Sequence, residues 1–269
     1  MSVTFLYIVL IVVVAFIFDF VNGFHDAANS IATVVSTRVL RPIYAVGWAA
    51  FFNFVAAFTF GTHVARTVGS GIVQEASVTN EVILAALVGA IVWDLITWYM
   101  GLPTSSSHAL IGGLAGAVAG RDGFAGLHTY GIGIIAAFIV IAPLIGLVLG
   151  FASRTIVSWV FRHSSHKKLS PYFRRLQLLS AALYSLGHGT NDAQKTMGIV
   201  AMLLYTNGYM PELEIKMWIV LTAHAAIALG TMAGGWRLIK TMGMRITKLQ
   251  PVDGFCAETS AAVSLFGTA

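Results

Sequence analysis

N-G-F-H-D-A-A-N-S at residues 22–30 and G-H-G-T-N-D-A-Q-K at residues 187–195 are polar strings set inside otherwise apolar stretches. Aligning Asp26 with Asp192 makes them two versions of one motif. A carboxylate held at membrane depth is costly and marks function. A pair of glycine-bearing, charged segments in corresponding halves of a chain is the mark of a transporter site formed where two repeats meet. The pair predicts an all-α integral membrane protein that moves a small ion.

Composition agrees. Of the 269 residues, 57% are hydrophobic and 10% charged, the mean hydropathy is +0.82, and a soluble domain carries roughly 25% charge. The net charge of +5 sits in short segments between apolar spans, which argues for membrane topology and against nucleic acid. A single cysteine, Cys256, excludes a disulfide framework and a cysteine-rich metal site, and is expected to pack. The run Val3 to Phe18 has no preceding Lys or Arg and no cleavage pattern, so it is expected to be a retained first membrane helix rather than a signal peptide. The six tryptophans read as interfacial anchors or packing residues.

Apolar stretches near the bilayer-spanning length of about 20 residues cover 3–21, 43–62, 82–100, 131–152, 176–205 and 215–235, with a shorter one at 108–120 and another beginning near Gly254. Between Met100 and His108, Gly101 and Pro103 stop one helix, and hydroxyl residues suit the cap of the next. Twelve of the 16 basic residues fall in three segments: Arg38 and Arg41; Arg154, Arg162, Lys167, Lys168, Arg174 and Arg175; and Arg237, Lys240, Arg245 and Lys248. Positive charge accumulates on the cytoplasmic side. All three segments reach that side only if 82–120 enters and leaves through the outer face as a re-entrant hairpin with its tip at Thr104 to Ser107. The N-terminus is then outside and the basic loop 154–175 cytoplasmic.

Residues 1–153 form a first repeat under this reading, and 176–269 an inverted second one. By symmetry the segment from Gly254 is the first arm of a second hairpin. The chain reaches Ala269 without a second Pro-Ser tip, so the second repeat is expected to be cut short before it.

Four strings together resemble the inorganic phosphate transporter (Pit) family of secondary symporters: G-F-H-D-A-A-N at 23–29, G-L-P-T-S-S-S-H at 101–108, G-H-G-T-N-D-A-Q-K at 187–195 and G-F-C-A-E-T-S-A-A at 254–262. In that family the fourth string precedes a second tip of the type G-L-P-V-S-T-T-H. The resemblance runs from about residue 10 to the end. The Phe24-His25 form is more similar to bacterial low-affinity phosphate permeases, described as proton-coupled carriers of metal-phosphate, than to sodium-coupled members. It implies an inner-membrane symporter, a homodimer, and inorganic phosphate with a coupling cation as partners, with no other cofactor.

The coupling cation is expected at Asn22, Asp26, Asn29, Asn191 and Asp192, with sodium held by Asp26, Asn29, Asn191 and Asp192 together with unwound carbonyls around Gly23 and Gly189. If the ion is a proton, the same carboxylates titrate. Thr104, Ser105, Ser106 and Ser107 cap the 108–120 helix and place hydroxyls and free amides where the helix dipole is positive, which builds an anion site. Thr190, Gln194 and Lys195 complete the expected phosphate site. Lys195 neutralises the anion or pairs with Asp192.

His25, His108 and His188 are hydrogen-bonding residues or proton or metal ligands. Glu258 is a polar group of the second arm and a further proton or metal candidate. Asp94 faces the cavity or caps the hairpin, and Asn53 is expected to make an interhelical hydrogen bond. No Gly-rich nucleotide loop is present, so an ion gradient is the expected driving force. The alternatives are a sulfate permease of the same fold, a channel, which would want a continuous polar lining, and an intramembrane hydrolase, for which Ser106 and His188 are the available groups. The repeat favours a symporter and no enzyme.

Overall fold

The computed structural model describes residues 3–59, 72–245 and 249–267. The end of the 43–62 span and Lys248 lie outside them, as do the side chains of Lys167 and Arg245. The described residues are almost wholly helical. Helix α1 is Val3–Ser36, α2 Pro42–Val55 with a 3-10 turn to Phe58, α3 Asn80–Met100 and α4 Ser106–Asp122. Then follow α5 Thr129–Val160, α6 His166–Thr206, α7 Met217–Ala233, α8 Trp236–Lys240 with a π turn at Thr241–Arg245, and α9 Pro251–Gly267. By length and apolarity, α1, α3 and α5 can each cross a bilayer, and α7 with α8, bent by 57°, makes a fourth.

Glycines set how closely the central helices approach. A Cβ on Gly23 of α1 would land on the Ile227 carbonyl of α7, and one on Gly230 on the Phe20 carbonyl. The two pairs run in opposite directions along the helices, so α1 and α7 are antiparallel. Gly189 of α6 lies against α2, where a Cβ would sit 2.8 Å from the Asn53 carbonyl oxygen. This overturns the expected unwinding at Gly23 and Gly189: α1 and α6 are helical straight through both motifs. The glycines are there for backbone contact between helices, not for exposed carbonyls. Asn53 donates to Thr231 Oγ1 at 2.9 Å, and Thr231 donates to the Gly23 carbonyl at 3.3 Å, so the expected interhelical bond ties α2, α7 and α1 together.

Helices α3 and α4 form an antiparallel hairpin, packed so closely that a Cβ on Gly113 would lie 2.5 Å from the Ala86 carbonyl oxygen. Gly101, at φ 71°, closes α3, its N–H donating to Trp98 O and that of Leu102 to Thr97 O. This left-handed stop, followed by Pro103, turns the chain sharply. The far ends of the hairpin also meet, Arg121 donating to Thr79 Oγ1 at 2.8 Å.

The 154–175 segment, expected as a loop, is largely helical: α5 continues to Val160 and α6 starts at His166, leaving 161–165 between them. Its basic side chains extend the two helices beyond their apolar lengths. Helix α5 buries none of its residues and meets α9 along one side, through Arg154–Asp253 at 2.7 Å and Ser153–Ser260 at 3.0 Å. An exposed apolar shaft of this kind fits hydrocarbon as its solvent. Cys256 is free and buried, as expected.

Candidate functional site

Helices α1 and α6 lie antiparallel, and their polar residues face one another in register. Thr196 donates to Asp19 at one end, the two motif carboxylates meet in the middle, and Thr37 donates to Gln177 Oε1 at 3.0 Å at the other. Ligand atoms of Asp26, His188 and Asp192 all lie within 4.8 Å of one another, and all three residues are buried. Two motifs far apart in sequence thus share one centre.

Each carboxylate has a histidine from its own motif. His25 Nδ1 is 3.1 Å from Asp26 Oδ1, and His188 Nδ1 is 2.8 Å from Asp192 Oδ2. Asp192 also accepts from Lys195 Nζ at 2.6 Å. Lys195 comes one turn later on α6, the i,i+3 spacing that brings side chains together on one helix face.

The hairpin tip reaches both motifs. Ser106 donates to Asp26 Oδ2 at 3.4 Å, and Lys195 donates to Ser107 Oγ. Ser105 is the N-cap of α4, accepting from the His108 N–H at 3.4 Å. Thr104 Oγ1 donates to Thr97 Oγ1 at 3.1 Å and lies 3.4 Å from His25 Nε2, which is itself 3.1 Å from Thr97. The start of α4, with the amide groups that no helix turn satisfies, therefore points at the two carboxylates and the lysine.

Other residues singled out in the sequence sit differently. Asn22 and Gln194 are buried, Asn29 is half-buried, and the Oδ1 of Asn22 has no hydrogen-bond partner among the described residues. Thr190 donates to Leu186 O within its own helix. Asn191 donates to the Leu265 carbonyl at 3.4 Å, which brings the end of α9 to the second motif. His108 is exposed on the hairpin.

Glu258 stands in a second polar group, taking hydrogen bonds from Thr33, from Gln177 at 3.2 Å and from Ser180 at 2.5 Å. Asp94 is fully buried beside the tip, with Ser106 as its neighbour there. Thr97, Thr33, Gln177, Ser180 and Asp19 join these groups without belonging to any of the four motif strings. The signal that could have found those on α1 and α6 is their recurrence on the helix faces that carry the motifs.

A bundle of apolar helices that gathers two buried carboxylates, two buried histidines and a half-buried lysine around the tip of a helical hairpin is the architecture of a multi-pass membrane transporter. The fold matches that of a solved "sodium-dependent phosphate transporter" with a TM-score of 0.84 over 97% of this chain and 85% of that one, at 24% identity. A family model described as the phosphate transporter family matches residues 22–269. The chain belongs to the phosphate transporter family. It is 57% identical to a probable low-affinity inorganic phosphate transporter of Rhizobium meliloti over 95% of this chain and 77% of that protein. It is 47% identical to one of Bacillus subtilis over 99% of this chain and 81% of that protein. These relatives are named as transporters, a function other than catalysis.

Proposed function

We propose that the protein is an ion-coupled symporter that imports inorganic phosphate across the cytoplasmic membrane by alternating access, as an inverted repeat acting in a homodimer. The observation that carries this reading is the hairpin tip: Ser106 engages Asp26 of one motif, while Ser107 engages Lys195 of the other. In this reading the α3–α4 hairpin is re-entrant, the N-terminus is outside and the basic ends of α5 and α6 are cytoplasmic.

Phosphate would take the Ser106 and Ser107 hydroxyls, the free amides at the start of α4 and the Lys195 ammonium, a combination suited to a tetrahedral anion. Drawing Lys195 toward the anion strips Asp192 of its closest cation and leaves it with His188. A buried carboxylate in that state needs new positive charge, so anion binding calls in a cation. That need is the physical basis of symport here. The imidazoles on both carboxylates suit a proton, or a divalent metal carried with the phosphate, better than sodium, which prefers an all-oxygen shell.

Sulfate is the alternative substrate of the same fold. Phosphate at neutral pH still carries a hydrogen it can donate to a carboxylate such as Asp26, and sulfate has none; the adjoining carboxylates therefore favour phosphate. Isothermal titration with phosphate and with sulfate tests the assignment. Ser107→Ala and Lys195→Met are each expected to weaken phosphate binding by about 0.5–3 kcal/mol, with sulfate weaker than phosphate in the parent. Unchanged affinities in both variants would move the anion elsewhere.

A further inference from the structure

One buried acid stands outside the centre formed by the two motifs. Asp19 is fully buried on α1, seven residues before Asp26 and therefore two turns along the same face. Its Oδ1 accepts from Thr196 at 2.5 Å, and its Oδ2 has no hydrogen-bond partner among the described residues. Ala15, Phe18, Ala193 and Met197, its neighbours along α1 and α6, belong to the main hydrophobic cluster.

The ionisable groups around it are few. On α6, Asp192 and Lys195 act on Asp19 through space. On α7, Gly230 packs against Phe20, the residue after Asp19, and the buried His224, its Nδ1 on the Val220 carbonyl, lies about two turns away along that helix. The buried acid Asp94 of α3 faces His25, Asp26 and Asp192 rather than Asp19. No cation pairs directly with Asp19 among the described residues.

We propose that Asp19 is a proton-binding site of the transport cycle, separate from the Asp26–Asp192 centre. The inference rests on the symport reading above and names its coupling ion. A carboxylate in an apolar setting with one neutral donor is costly as an anion. A proton on Oδ2 removes that cost. Sodium would need several oxygens, and this part of α1 and α6 offers the Thr196 hydroxyl and the Asn22 amide.

Lys195 supplies the link to phosphate. It directly precedes Thr196, the donor to Asp19, on α6, so a phosphate drawn to Lys195 brings negative charge near Asp19 and disfavours a second anion there. Anion binding therefore strengthens proton binding at Asp19, and by linkage the proton strengthens anion binding. Each cycle forms one O–H bond on Oδ2 with a proton from outside and breaks it by release to the cytoplasm.

The test compares two modes of radiolabelled phosphate transport in proteoliposomes: net accumulation driven by an imposed pH gradient, and phosphate–phosphate exchange without a gradient. Asp19→Asn is expected to lower driven accumulation by about tenfold or more while exchange stays within about twofold. Both modes unchanged would make Asp19 a structural hydrogen bond and overturn the proposal. Equal losses of both in a folded variant would place Asp19 in a step common to both modes, which also overturns it. A parent driven by sodium and indifferent to pH would end the proposal and leave the symporter standing, whereas a parent that does not exchange phosphate would end the symporter reading itself. Should Asp19→Asn fail to fold, Asp19→Glu keeps an acid in a new position and is expected to shift the pH of half-maximal accumulation; an unshifted profile overturns the proposal.

Discussion

Gly23 shows how one side chain, or its absence, holds the site in place. A Cβ there would meet the Ile227 carbonyl of α7, and three residues later α1 presents Asp26. Gly23→Ala forces a methyl into backbone that cannot yield, at a cost of about 1–3 kcal/mol. Gly116→Ala on α4 meets nothing within 4 Å and removes the helix penalty of glycine, a gain of about 0.5–1 kcal/mol. Thermal unfolding of the two purified variants should move in opposite directions; a Gly23→Ala protein as stable as the parent would refute the close packing of α1 on α7. The same glycine marks a limit of sequence reading. A glycine beside a buried charge can free carbonyls by unwinding or admit a neighbouring backbone, and the choice depends on α7, which is remote in the chain. Asp26, Asp192, Lys195 and the serines at 105–107 were legible because charge and hydroxyls stand out in apolar sequence. Asp19 was not, because it ends a run of apolar residues and belongs to no repeated string. Thr97 and Ser180 are hydroxyls on helices, where such residues often bond their own backbone.

The α3–α4 hairpin is the element that joins the two motifs, and its turn was readable from Gly101, Pro103 and the serines that follow. Helix α4, at 17 residues, spans about 25 Å at 1.5 Å per residue, so it falls short of a tilted crossing yet carries the tip to the carboxylates. The helical character of 154–175 was not readable: its Lys and Arg suggest a loop by composition, while α5 and α6 extend past their apolar lengths through packing with α9, Arg154 on Asp253 and Phe173 on Phe255. Topology is testable on these elements, since the lone Cys256 is buried and can be replaced by serine as a background. In that background, Phe124→Cys at the open end of the hairpin and Arg175→Cys on α6, both at positions with solvent access, are expected to react with a membrane-impermeant maleimide from opposite sides of the cell membrane, the first from outside. Labelling of both from one side would contradict the inverted arrangement.

Across the whole molecule the polar faces of α1 and α6 make one seam. From Asp19 to Thr37 it runs about 27 Å at the helical rise, close to the roughly 30 Å of bilayer hydrocarbon. On the proposed reading such a seam is the line of polar groups that ions follow through an otherwise apolar bundle, with the hairpin tip seated on it at Asp26 and Asp192. The symmetry of the seam was foreseeable from the two motif copies, but its length was not, because Thr33, Thr37, Gln177 and Ser180 become a continuous feature only when α1 and α6 are laid side by side. Coupling is the central claim: phosphate takes Lys195, and the carboxylates then require a cation. The most direct measurement is radiolabelled phosphate accumulation in proteoliposomes with pH and sodium gradients imposed separately, for the parent and for Asp26→Asn and Asp192→Asn. Uphill accumulation with a gradient is expected in the parent and is expected to be lost in both variants, while each still inserts and folds. Uphill accumulation that persists in both variants would contradict the coupling and reduce the two carboxylates to packing groups.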